Sequence, residues 1–95
     1  MIRKEVAELV ALGSIPGIQA DESEISAFEQ ALQRISAPLT NEEAVALIAS
    51  FGQGDCYGLA WTLVHLIESA PGPAAPTDPG PQANEWVRIL WERAQ

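Results

Sequence analysis

Between Asp55 and Glu68 the chain reads DCYGLAWTLVHLIE, with no Lys or Arg and its acidic residues only at the two ends. Cys56, Tyr57, Leu59, Ala60, Trp61, Leu63, Val64, Leu66 and Ile67 leave little polar surface between them. A helix that is apolar nearly all round must be covered by other elements. The run therefore predicts a central buried helix over about residues 56–69, capped by Asp55, with the rest of the chain folded around it. Gly58, Thr62, His65 and Ser69 step along it by four, three and four residues. They form a narrow small or polar stripe, expected to face solvent or a close neighbouring helix.

Four more helices are readable. From Ile2 to Leu12, the residues Ile2, Val6, Leu9 and Val10 share one face, and Arg3, Lys4 and Glu8 lie mostly elsewhere. Gly13 is placed to end that helix, and Ile15 and Ile18 are placed to pin the following loop to the core. A second helix from Glu22 to Ser36 carries the seam Ile25, Phe28, Leu32, Ile35; Asp21 or Ser23 caps it and Pro38 stops it. The third, Thr40 to Phe51, opens on the capping box Thr40-Asn41-Glu42-Glu43, with Ala44, Leu47, Ile48 and Phe51 inside. The last, Glu85 to Ala94, is capped by Asn84 and carries an Arg88–Glu92 pair at i,i+4.

Residues 70–83 include Pro71, Pro73, Pro76, Pro79 and Pro81, which forbid helix and strand alike. A stiff surface connection is expected there, and the P-x-x-P spacing of Pro73 and Pro76 matches a recognition motif only weakly. No segment alternates as a strand should. The expected fold is all-α: a single compact bundle of about five helices spanning residues 1–95.

Thirteen acidic residues against five basic ones give a formal charge of −8. That balance argues against nucleic acid, where Lys and Arg must neutralise phosphates, and against anionic membranes. It favours solubility and fast association with a basic protein. One cysteine excludes an internal disulfide and fits a reducing compartment. With no signal-peptide pattern and no run long enough to span a bilayer, a cytoplasmic protein is expected.

Complete catalytic sets are missing. Cys56 and His65 would stand about 13 Å apart along one helix, too far for a nucleophile–base pair, and His65 is the only histidine. Cys56 reads as a small buried residue. A metal site lacks ligands, since one Cys and one His need two carboxylates and no CxxC or HExxH spacing exists. Gly52-Gln53-Gly54 resembles a phosphate cradle, but Asp55 would repel the phosphate and no G-K-[ST] follows. No cofactor is expected. Asp21, Glu22 and Glu24, with Glu42 and Glu43, gather at two helix starts, where the helix dipole already favours them. Together they offer a negative surface to a basic partner. Trp86 and Trp91 lie about 140° apart around their helix, so at least one must be partly exposed.

The segment FGQGDCYGLAWTLVHLIESAPG (Phe51 to Gly72), with NEWVRILWERA (Asn84 to Ala94), resembles a family of small acidic bacterial proteins without an assigned activity. Its central pattern is F-G-x-x-D-C-x-G-L-A-W-T-L-x-H-L-I-E-x-A-P-G, and the T-[ND]-E-E-A cap at Thr40 to Ala44 matches as well. About half the chain is covered. The resemblance implies a fold and carries no catalytic residue. By analogy alone, such small acidic helical proteins are similar to immunity proteins that neutralise bacterial toxins.

The expected function is a non-enzymatic protein-binding module, in its specific form an immunity-type inhibitor of a basic toxin or nuclease. Asp21, Glu22, Glu42 and Glu43 would steer the partner, and Tyr57, His65, Trp86 and Trp91 would supply contact surface. The alternatives are a small-ligand or enzyme-accessory module with a groove near Tyr57, Thr62 and His65, and a structural subunit that self-associates through its last helix. The chain is accordingly expected as a monomer or small homo-oligomer.

Overall fold

Apolar spacing sets which side each helix buries, and Gly13 sets where the first one stops. A computed structural model describes residues 2–17, 19–52, 54, 56, 58–72 and 78–94. Among these residues it contains α1 (Lys4–Ala11), α2 (Glu22–Gln33), α3 (Asn41–Leu47), α4 (Leu59–Ile67) and α5 (Glu85–Arg93), with a 3-10 turn at Ile48–Ser50 and no strand. The described residues form an all-α bundle of five helices. Helix α1 packs against α2 and α3, α3 against α4, and α4 against α5.

One continuous core joins them, with Val6, Leu9, Phe28, Leu32, Leu39, Leu47, Leu63, Val64 and Ile67 almost wholly buried. Each such side chain contributes about 1.5–3 kcal/mol of transfer free energy. Helix α4 has the largest buried share, with Leu59, Ala60, Leu63, Val64 and Ile67 inside among its nine residues. Its other side, Trp61, Thr62 and His65, is exposed, so the helix is covered on one side and open on the other. No helix among the described residues is long and apolar enough to cross a membrane.

Helix boundaries are shorter than the periodicity predicts. Helix α4 begins at Leu59, with Gly58 as its N-cap in the left-handed region at φ 93°. Cys56 also has positive φ, 49°, and two left-handed residues exclude a helical turn from 56 onward. The cap expected at Asp55 is thereby replaced by Gly58, and Asp55 itself lies outside the described residues. Helix α2 ends at Gln33, with Arg34 as its C-cap, before Pro38 is reached; Ile35 still turns into the core. Val10, expected on the inner face of α1, is 37% exposed, since only Val6 and Leu9 reach α2 and α3 squarely.

The loops are held by specific polar contacts. Gly13 follows α1 with φ 84° and returns its amide to the Val10 carbonyl at 3.1 Å, which is the expected glycine stop. Ile15 is buried and its amide donates to the Ser50 carbonyl at 2.7 Å. That brings the loop so close to Gly52 that a Cβ there would run into the Ile15 carbonyl oxygen. Asn84 caps α5 by accepting from the Trp86 amide at 2.8 Å, while its Nδ2 donates to the Gly52 carbonyl at 2.8 Å. One asparagine thus both starts the last helix and ties it to the end of the 3-10 turn. The proline-rich connection is pinned at both ends: Gly72 donates to Asn41 Oδ1 at 2.8 Å, and Arg88 donates to the Gly80 carbonyl at 2.7 Å. Its middle, with the P-x-x-P residues Pro73 and Pro76, lies outside the described residues, as does Ile18.

Candidate functional site

The start of α3 is built as the sequence predicts. Thr40 Oγ1 accepts from the Glu43 amide at 3.1 Å, and Glu43 Oε1 accepts from the Thr40 amide at 2.9 Å. The same carboxylate does more than cap. Its Oε2 accepts from the Arg3 amide and from Arg3 Nε, both at 2.9 Å, and its Oε1 accepts from Arg3 Nη2 at 3.2 Å. Arg3 also reaches the carbonyls of Ser36 at 3.0 Å and Pro38 at 3.3 Å. One ion pair therefore joins the start of α1, the α2–α3 loop and the start of α3.

Hydrogen bonds from the Arg3 guanidinium hold the Glu43 carboxyl down at about 2, against the opposing effect of burial, and the Thr40 and Arg3 amides reinforce them. Glu43 is 1% exposed. This corrects its expected place on a partner-binding surface: a carboxylate that is buried and bonded on both oxygens has nothing left to offer a partner. Its neighbour Glu42 is exposed.

The remaining arginines are engaged as well. Arg34 lies 3.7 Å from Glu8, Arg93 lies 2.6 Å from Glu68, and Arg88 lies between Asp78 at 4.0 Å and Glu92 at 3.8 Å. Four of the five basic residues thus answer acids of the same chain. Asp21, Glu22 and Glu24, at the start of α2, are exposed and form no ion pair among the described residues. The Asp21 side chain makes no capping bond to the helix amides that it precedes. This end of α2 therefore lays open three carboxylates that no basic residue among the described residues answers.

The aromatic residues divide differently from the expectation. Trp86 is 5% exposed, stacked on Phe51 with ring centroids 6.3 Å apart and meeting Trp61 edge-to-face at 5.2 Å. It is a core residue and no contact surface for a partner, because its helix turns it under α4. Its indole Nε1 is buried without a hydrogen-bond partner among the described residues. Trp91 is half-buried. Trp61, 39% exposed, carries the aromatic row outward to His65, whose ring lies 6.2 Å away. His65 and Thr62 face solvent, and the Thr62 hydroxyl donates to the Gly58 carbonyl at 3.1 Å. Tyr57 lies outside the described residues.

Two concave regions lie on the other pair of helices. One, of about 340 Å³, is lined by Leu12, Ser14, Pro16, Glu24, Ala27 and Phe28. The second, of about 240 Å³, is lined by Glu8, Leu12, Ala27, Gln30, Ala31 and Arg34. They share Leu12 and Ala27 and so form one groove between the end of α1 and the flank of α2. Neither includes Thr62 or His65, where a groove is expected from the stripe on α4.

Three participants are missed by sequence reasoning. Arg3 is read as a surface residue, although a buried capping glutamate needs a cation. Trp61 is read as core because its helix is so apolar. Leu12 is 49% exposed at the groove's centre, and the end of an amphipathic helix leaves no periodic signal for that. No metal-binding cluster of three or more His, Cys, Asp or Glu residues exists among the described residues. Cys56, buried before α4, and His65, exposed on its outer side, do not share a site. The chain matches no family model, no curated protein and no solved structure.

Proposed function

We propose that this chain is a non-enzymatic module that binds a basic protein, with the exposed start of α2 as the part that meets it first. The distribution of charge carries the reading. Arg3, Arg34, Arg88 and Arg93 are taken up by the chain's own acids, while Asp21, Glu22 and Glu24 stay open. Exposed carboxylates clustered in this way raise the encounter rate with a positively charged partner. An immunity-type inhibitor covering a basic toxin or nuclease is the specific form of this reading, since such a target carries the complementary charge.

The test is affinity capture of the tagged protein from its native host at low and high salt, followed by kinetics on the retained partner. A stoichiometric basic protein is expected, weakened by salt. Reversing Asp21, Glu22 and Glu24 to lysine should lower its association rate about tenfold or more at low salt, with a smaller effect on dissociation. An association rate indifferent to both salt and charge reversal would remove the electrostatic reading.

A further inference from the structure

We infer that the groove between α1 and α2 is the seat of a basic amphipathic helix presented by the partner. The inference rests on the basic-partner reading and adds the place and shape of the contact. Leu12, Ala27, Phe28 and Ala31 form the apolar floor. Ala27 and Ala31 are four residues apart, so they share one face of α2. Their methyl-sized side chains leave a trough between Phe28 and Leu12 where larger residues would leave a ridge. From Glu24 to Arg34 the groove follows about 15 Å of helix. That length receives about three turns of a second helix laid along it, with apolar anchors at three- and four-residue spacing.

Charge selects the occupant. Glu24 stands at one end of the groove, with the N-cap Asp21 and the first helical residue Glu22 just before it in sequence. At the other end Arg34 is offset by Glu8 at 3.7 Å. The rim is therefore negative at the α2 start and close to neutral at the far end. A helix with leucine-like anchors on one face and Lys or Arg flanking them at one end satisfies both features. An acidic helix would place its charges against Glu24. A second copy of this chain would bring two molecules of charge −8 together.

The experiment is an NMR titration of the isotope-labelled protein with a helical peptide of leucine and lysine in amphipathic order. Two controls accompany it: the same pattern with glutamate in place of lysine, and oligolysine without leucine. The leucine–lysine peptide should shift the amides of Leu12, Ala27, Phe28 and Ala31, and the glutamate peptide should not. Ala27→Arg, at an exposed position of α2, should weaken that peptide's binding about tenfold or more while circular dichroism shows the fold retained. Leu12→Ser should weaken it in the same direction. Shifts centred on Trp61 and His65, equal binding of the glutamate peptide, or an unaffected Ala27→Arg protein would overturn the inference. So would a dimer in sedimentation that Ala27→Arg dissociates, because the groove would then be covered by a second copy. If oligolysine and the leucine–lysine peptide bind equally, with shifts confined to residues 21–24, the groove is refuted and the basic-partner reading stands. If neither binds at low salt, both fall.

Discussion

Helices α2 and α3 begin with nearly the same chemistry, Asp21-Glu22-Ser23-Glu24 and Thr40-Asn41-Glu42-Glu43, and end in opposite states. At α3 the third helical residue folds back on a threonine cap, and an arginine forty residues away in sequence, at the start of α1, closes on it. At α2 the cap residue makes no side-chain capping bond, and no cation pairs with its acids among the described residues. An acidic helix start is thus two different objects, a joint or an open surface, according to whether a donor set reaches it. The joint organises three segments of the fold, whereas the open start of α2 is available to another molecule.

Removing the arginine from the joint should have the largest effect. Arg3 is 38% exposed in its side chain and Glu43 only 1%, so the two halves are not equivalent. Arg3→Leu leaves a buried carboxylate without its cation and should cost the most stability at pH 7, measured by urea unfolding. Glu43→Gln leaves the arginine within reach of solvent and keeps an acceptor for the Thr40 amide. It should cost less, about 1–3 kcal/mol. For a domain holding about 5–15 kcal/mol in total, both are large. If Arg3→Leu were nearly silent, the α3 start would be as open as the α2 start and the contrast would fail.

Acid titration sharpens the same contrast. The Glu43 carboxyl titrates near 4.5 when unperturbed and near 2 in the folded chain. Between those values the unfolded chain takes up a proton that the folded chain refuses, so falling pH draws the equilibrium toward unfolding. The stability contributed by the pair is full above about 4.5 and is lost as pH falls through about 2. The advantage of the wild type over Glu43→Gln should therefore be constant near neutrality and shrink across this window. A difference that stays constant down to pH 2 would show that the carboxylate's charge contributes nothing.

What can be read from the sequence here is what depends on short offsets. Thr40 and Glu43 are three residues apart, so their capping box is written in the chain. The Asn84 cap and the Phe28–Leu32–Ile35 seam are equally local and equally legible. The Arg3–Glu43 bond spans forty residues, and nothing at either position announces the other. The two tryptophans of α5 show that one must leave the core; which one is decided by Phe51 and Trp61, from other parts of the chain. Helix α4 misleads for a different reason. Asp55 is the stronger cap by residue type, yet Cys56 and Gly58 take left-handed conformations and the helix starts only after Gly58. The α1–α2 groove is lined by Leu12 from the end of α1 and Ala27 from α2, a juxtaposition that no periodicity encodes.

The smallest expected effect on stability lies at the open start. Asp21→Asn, Glu22→Gln and Glu24→Gln together remove favourable interactions with the dipole of α2, each worth about 0.3–1 kcal/mol at low salt. They also remove repulsion among carboxylates crowded into one turn, which offsets part of that loss. Asp21 has no capping bond to forfeit, so the net change should stay under about 1 kcal/mol and fade in high salt. The same triple change should nevertheless slow association with a basic partner, because steering depends on exposed charge and not on how much that charge stabilises the fold. The joint and the open start are then separated by one pair of measurements: Arg3→Leu lowers stability and leaves the acidic surface of α2 in place, while the triple variant lowers the association rate and leaves the fold nearly as stable as before. A triple variant that unfolds like Arg3→Leu would mean that the α2 start is held by contacts its open geometry does not suggest, and its role as a receiving surface would have to be given up.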